Sequence, residues 1–184
     1  MDFLNAIILI SNFIIVPAIT YGSQLALGAI GVTLIYGVLR FANFAYGDLM
    51  AFGTMIVILF TWYLQSKGIT FGFLPTALLA LPIGILFTIA ISLFFDKTIF
   101  EYYREKKSNP VTFIVVSLGI MFVLNAVVRI IIGPNDINFM DGHKFIMKAR
   151  EFKQLTGLNE GLAIKSTQVI TLITTIITCS LLFY

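Results

Sequence analysis

Six long apolar blocks constrain this chain more than any other feature. They occupy residues 3–19, 23–39, 49–64, 73–95, 111–132 and 167–184, with polar stretches between them. An α-helix rises 1.5 Å per residue, so crossing a hydrocarbon core about 30 Å thick takes roughly 20 apolar residues. The fourth and fifth blocks meet that length. The second and third are shorter and flank a polar-aromatic interruption at 40–48. Charge content agrees: 11% of the 184 residues are charged, 59% are hydrophobic, and the mean hydropathy is +0.98. An ordinary soluble domain carries about 25% charged residues, so too few remain here to cover a water-soluble globule. The expected fold is all-α: a polytopic transmembrane helix bundle of about five to six spans, one domain over residues 1–184, broken or re-entrant near 40–48.

Several function classes lack their tools. The formal net charge of +3 is small and the basic residues sit mainly in two loops, which gives nucleic-acid binding no support. One cysteine, Cys179, lies inside an apolar block and reads as a small core hydrophobe. The one histidine, His143, lies in a polar loop, and a single Cys and a single His do not make a transition-metal site. No G-x-x-x-x-G-K-[ST], G-x-S-x-G or H-E-x-x-H occurs. The chain is therefore expected to be no enzyme, to bind no ATP through a P-loop and to carry no cofactor. The first five residues hold no Lys or Arg and no A-x-A follows, so block 3–19 reads as a retained first span rather than a cleaved signal.

The segment 96–109, DKTIFEYYREKKSN, places Lys97, Arg104, Lys106 and Lys107 in a short connection. Short basic loops stay in the cytoplasm, so 96–110 is expected there and the long mixed-charge loop 133–166 outside. One crossing per block then leaves the N-terminus in the cytoplasm. Phe100, Tyr102, Tyr103 and Lys106 read as an interfacial aromatic-basic belt. The last block ends at Tyr184 without a basic anchor or polar tail, the pattern expected of a C-terminally truncated chain.

Small residues gather in and around the second block: Gly22, Ser23, Ala26, Gly28, Ala29, Gly31 and Gly37. In lipid such residues let helix backbones approach closely, so Gly22, Gly28, Gly31 and Gly37 are expected to pack this helix against others. Pro75 and Pro82 suit a first turn and a kink of the fourth block.

The interruption itself, Tyr36-Gly37-Val38-Leu39-Arg40-Phe41-Ala42-Asn43-Phe44-Ala45-Tyr46-Gly47-Asp48, ends one apolar helix and opens another. It is either a tight loop at the membrane surface or a break within the bilayer. Asp48 directly precedes an apolar run, the position of an N-cap. As a surface loop, the stretch needs only Asp48 to cap and Arg40 to snorkel to headgroups. As an intramembrane break, its free amides and positive helix end would receive a substrate carboxylate. In the fifth block, Asn125 and Arg129 are four residues apart on one face. Arg129 is expected to snorkel to the outer interface and Asn125 to hydrogen-bond across helices.

The stretch YGVLRFANFAYGDLMAFGT resembles the signature of the branched-chain amino acid ABC transporter permeases of the Liv type. Tyr36, Gly37, Asn43, Phe44, Ala45, Gly47 and Asp48 match that pattern, while Tyr46 stands where many members have His. Residues 22–32, the Tyr102-Tyr103 to Pro110 linker, and Val116-Ser117-Leu118-Gly119-Ile120 followed by Asn125 are also similar to the family, so the likeness covers most of 21–133. It implies a permease subunit of an ATP-binding-cassette importer in the bacterial inner membrane, with a branched-chain or related amino acid as substrate. The implied partners are a second permease subunit, cytoplasmic ATPase subunits, a periplasmic amino-acid-binding protein and membrane lipid. The pathway residues it points to are Asn43, Phe44, Tyr46, Gly47, Asp48 and Asn125. The family's ATPase-coupling segment follows the sixth block and is not found here. The competing readings are a subunit carrying another small polar solute (an amide or urea), an ion channel, and a membrane-embedded enzyme. The enzyme would need clustered acid-base groups, and only Asp48 and Arg40 lie near one another in sequence.

Overall fold

Helix dominates the computed structural model, which describes residues 2–69, 74–133, 135, 139, 141, 145–156 and 160–183. His143, with Asp136 and Lys144 of the long loop, lies outside the described residues. In chain order the elements are α1 (Asp2–Ile10), a π turn (Ser11–Ile15), α2 (Val16–Leu39), α3 (Tyr46–Ser66) and α4 (Ala77–Phe95). A second π turn (Asp96–Phe100), α5 (Glu101–Glu105), α6 (Pro110–Ile132), β1 (Phe145–Met147), α7 (Ala149–Thr156), β2 (Ile164–Lys165) and α8 (Ser166–Phe183) follow. Among the described residues, four helical stretches are long and apolar enough to cross a membrane: Phe3–Leu39, Tyr46–Ser66, Ala77–Glu105 and Pro110–Ile132; Ser166–Leu182 is a shorter apolar helix. Large apolar side chains lie open on the surface, Val38 and Ile130 at 81% exposure and Leu181 at 76%. Exposure on that scale needs lipid as the solvent. The chain is a multi-pass membrane protein.

Four expectations change at this point. The first two blocks form one continuous helical stretch rather than two spans. Gly22-Ser23 costs helix propensity but breaks no hydrogen bond, and Pro17 is accommodated just after the π turn, where the Val16 N–H reaches back to the Ser11 carbonyl. The segment 96–110, expected as a loop, is helical as far as Glu105. Its charges do not interrupt a helix, and Arg104 pairs with Asp96 at 2.7 Å. The opening of the third helix moves forward to Tyr46, which changes the role of Asp48. Finally, no described residue of α2 is buried. A Cβ added at Gly22, Gly28 or Gly37 would meet nothing within 4 Å, while Gly31 is half-buried. Among the described residues no side chain or backbone stands against Gly22, Gly28 or Gly37.

By its contacts the chain divides into two units. One comprises Val32–Gly72 and Thr76–Asp141. Here α3 packs on α4 and α6. The closest approach uses Gly53 and Gly84: a Cβ on Gly84 would run into the Val57 side chain and lie 3.1 Å from the Gly53 carbonyl oxygen, and one on Gly53 would strike the Thr88 hydroxyl. Phe41, Ala45, Phe100, Ile120 and Leu124 form the buried apolar cluster. Ring centroids of Phe41 lie 5.6 Å from Phe100 and 5.2 Å from Phe113. Pro82 sits inside α4 and Pro75 ahead of it, so of these two only Pro82 lies in the helix interior. Two helix ends close with the Schellman pattern. After α3, Gly68 (φ +72°) bonds back to Gln65 and Ile69 to Leu64; after α5, Lys107 (φ +49°) bonds back to Arg104 and Ser108 to Tyr103. Asp141 accepts from Gln65 Nε2 and from the Ala77 N–H, both at 2.8 Å, putting a carboxylate at the positive end of α4.

The other unit comprises Met1–Gly31, Phe73–Pro75 and Gly142–Tyr184. Asn12, in the first π turn, donates to the Gly161 carbonyl at 2.7 Å and accepts from the Ala163 N–H at 3.0 Å, while Asn5 accepts from the Glu160 N–H at 3.4 Å. These bonds set the start of the first helix beside the long loop. One crossing per block would have put them on opposite sides; merging two blocks removes that crossing. Within the loop β1 and β2 pair antiparallel, and α7 follows β1. Lys165 precedes α8 and its N–H donates to Gln168 Oε1 at 2.9 Å, half of a capping box. Thr171, Thr174, Thr175 and Thr178 return their hydroxyls to carbonyls one turn back, which is how an apolar helix carries them without orphan donors.

Candidate functional site

The chain between α2 and α3 turns in six residues, and the turn is held by bonds that the local sequence supplies. Arg40 ends α2 with its N–H on the Tyr36 carbonyl at 2.8 Å and takes φ +57°. This is a left-handed conformation that costs a non-glycine residue about 1 kcal/mol. Phe41 then drops into the buried cluster. Asn43 Oδ1 accepts from the Ala45 N–H at 3.1 Å, an Asx turn. The Phe44 N–H donates to Ser117 Oγ at 3.1 Å, and that hydroxyl, fully buried, donates on to the Ile114 carbonyl at 2.8 Å. The break is thus clamped to α6 from the middle of the turn.

Asp48 is not the N-cap. Ala45 holds that position, and Asp48 stands in the first turn of α3 without a bond to the helix end. Its carboxylate instead accepts from Asn125 Nδ2 on α6 at 3.0 Å, and Asn125 Oδ1 accepts from Arg129 Nε at 2.9 Å. A carboxylate only accepts and a guanidinium only donates, so the amide between them has one consistent orientation. The expected hydrogen bond of Asn125 across helices is present. Arg129, expected to reach for the helix end, turns back toward Asn125, in keeping with the tilt of helical side chains toward the N-terminus. Opposite charges joined through a neutral amide carry no net charge, which lowers the cost of a low-dielectric setting.

Two of the cavities beside the break reach Asn43. One, of about 510 Å³, is lined by Val32, Thr33, Ile35, Tyr36, Ala42, Asn43, Phe44, Tyr46 and Gly47. The other, of about 360 Å³, includes Leu34, Asn43, Leu49, Ser92, Asp96 and Ile120. Asn43 borders both. Both volumes fall within the range of small-molecule pockets. The first-turn N–H groups of a helix have no partner inside it, and among the described residues no acceptor bonds the N–H of Gly47 or Asp48. Of the six residues expected along a pathway, Asn43, Phe44, Tyr46 and Gly47 line the larger cavity. Asp48 and Asn125 meet one another instead. No group of three or more His, Cys, Asp or Glu side chains able to hold a metal occurs among the described residues.

The pathway residues expected from the sequence left out Ser117, Phe41, Thr33 and Tyr36, although Tyr36 and Ser117 stand in the family-like motifs. For Ser117 a signal existed: it stands eight residues before Asn125 and therefore on nearly the same face of α6. Phe41 carried none, being one aromatic among 18 phenylalanines.

The family described as branched-chain amino acid transport system / permease component matches residues 14–184. The chain is 37% identical over 59 residues to the high-affinity branched-chain amino acid transport system permease protein LivH of Escherichia coli (strain K12), and equally to that of Escherichia coli O157:H7. Each match covers 32% of this chain and 19% of the relative, so the chain spans about a fifth of the curated proteins it matches. No solved structure matches it.

Proposed function

The chain belongs to the branched-chain amino acid transport permease family, and from that premise we propose that it forms part of the pathway of an ATP-binding-cassette importer for branched-chain or related amino acids. In this reading it works in the bacterial inner membrane with a second permease subunit, cytoplasmic ATPase subunits and a periplasmic amino-acid-binding protein. The observation that carries the site is the Asp48–Asn125–Arg129 chain. Asn125 stands four residues past Met121, the midpoint of α6 (Pro110–Ile132), about 6 Å along the axis at 1.5 Å per residue. Polar groups that deep in a spanning helix are costly and mark solute paths by default. That supports the Asp48–Asn125 end of the break as part of a solute path rather than a helix cap alone.

An amino acid is a zwitterion, and the break offers a group for each end. The unpaired N–H groups of Gly47 and Asp48 sit at the positive end of α3 and suit a carboxylate. The Asp48 carboxylate, aimed by Asn125, suits the ammonium, and the apolar wall of the larger cavity takes the side chain. Asn43, shared by both cavities, stands where one must open as the other closes.

The test is uptake by the full-length permease reconstituted with its ATPase subunits and binding protein. Asp48→Ala and Asn43→Leu are each expected to lower uptake about tenfold or more, the worth of one hydrogen bond to a charged group, with membrane insertion unchanged. Normal uptake by both variants would remove the break from the pathway.

A further inference from the structure

Where α2 ends and α6 begins, a cavity of about 230 Å³ is lined by Val38, Leu39, Arg40, Phe41, Phe100, Arg104, Pro110 and Phe113. It shares Val38, Leu39 and Phe100 with the smaller cavity beside the break, and none of the six residues expected along the pathway. Its walls are apolar and aromatic, with Phe41, Phe100 and Phe113 packed together as one side. Its charged lining is two guanidiniums. We infer that this cavity binds the headgroup of an anionic phospholipid, its phosphodiester on Arg40 and Arg104 and the start of its acyl chains on the phenylalanines.

Three independent observations support that occupant. The first is position: Leu39 is the last residue of α2 and Pro110 the first of α6, so the cavity lies at the ends of two span-length stretches, the level of lipid headgroups. The basic segment that borders it marks the cytoplasmic leaflet, where anionic lipids concentrate. The second is charge. Arg40 and the segment 96–107 together carry five basic residues, Arg40, Lys97, Arg104, Lys106 and Lys107, against three carboxylates, Asp96, Glu101 and Glu105. Asp96 occupies one guanidinium nitrogen of Arg104, and a guanidinium has five N–H donors. Pro110 adds the positive end of α6. The third is strain. Arg40 holds φ +57° at a helix terminus, where glycine is the default; the α3 terminus uses Gly68 for the same conformation. Arg40 lines the cavity from that position. A free phosphate shares the headgroup's chemistry but has no use for an aromatic wall.

The experiment is native mass spectrometry of the full-length permease in neutral detergent, titrated separately with phosphatidylglycerol, phosphatidylcholine and inorganic phosphate. Phosphatidylglycerol is expected to be retained about 30-fold more tightly than phosphatidylcholine, from two basic contacts. Arg40→Asn with Arg104→Gln should abolish that preference while leaving phosphatidylcholine binding unchanged; Asn tolerates the left-handed backbone. Arg40→Lys with Arg104→Lys should keep most of the preference and so guards against misfolding, since Lys107 already adopts φ +49°. Asp96→Asn, which frees Arg104, should strengthen it. Equal retention of the two lipids, or a preference that survives Arg40→Asn with Arg104→Gln, would overturn the inference. So would full competition by millimolar inorganic phosphate, which would mark an ion site. Efficient crosslinking of Arg40→Cys to the ATPase subunits in the assembled complex would also overturn it, since protein would then cover the cavity.

Discussion

At the α3–α4 crossing, Gly53 and Gly84 face one another's helices with no room for a methyl group; along α2, Gly22, Gly28 and Gly37 face open space. The residue type and the apolar surroundings are the same in both regions. What differs is whether another backbone is there. In lipid no hydrophobic force pushes helices together, so contact depends on shape alone. A glycine in a spanning helix is permission for close approach, and only a partner of matching register uses it. Within this chain that partner exists for α3 and α4. For α2 no such backbone stands against Gly22, Gly28 or Gly37 among the described residues.

The sharpest way to break this comparison is at Gly84. Gly84→Leu drives a side chain into Val57 and toward the Gly53 carbonyl, 3.1 Å from the position of its Cβ. Backbone cannot yield as a flexible side chain does, so a loss of about 3 kcal/mol is expected. It would be read as a lower melting temperature and folded yield of the full-length permease in detergent. Gly53→Ala is milder. Its methyl meets the Thr88 hydroxyl, which can swing away by giving up its 2.8 Å bond to the Gly84 carbonyl, and the expected cost is about 1–2 kcal/mol. Thr88→Ala in the same chain should recover most of it, a coupling that a double-mutant cycle measures directly. The smallest effect, with opposite sign, is expected at α2. Gly28→Ala in the permease separated from its partners should raise stability by up to about 1 kcal/mol, because alanine has less chain entropy to lose in a helix. A loss at Gly28 as large as at Gly53 would show that α2 is packed after all.

Much of the helical layout was legible in the chain. The apolar blocks became helices, and the polar-aromatic stretch became the turn between two of them, because both signals are local. Boundaries were less legible for the same reason. Asp48 looked like an N-cap because a short polar residue before an apolar run usually is one. The helix opened three residues earlier, with Ala45 as its N-cap, where Asn43 and Ser117 could hold the turn. Charged residues in 96–105 suggested a loop, yet Asp96 and Arg104 are compatible with a helix and pair along it. Asn125 was recognised as a residue that would bond across helices, but not what it would bond to.

By itself, the sequence determined the solvent of this protein, its all-helical architecture and the place where its helices break. Those follow from runs of apolar residues and from polar groups that interrupt them, properties summed over neighbours in the chain. Only the tertiary structure decided that Asp48 meets Asn125, 77 residues away, that Gly53 and Gly84 carry the close packing, and that two arginines border one aromatic cavity. Each depends on the relative register of two helices. That register is set by side-chain shapes on both at once, information that no single stretch of sequence contains.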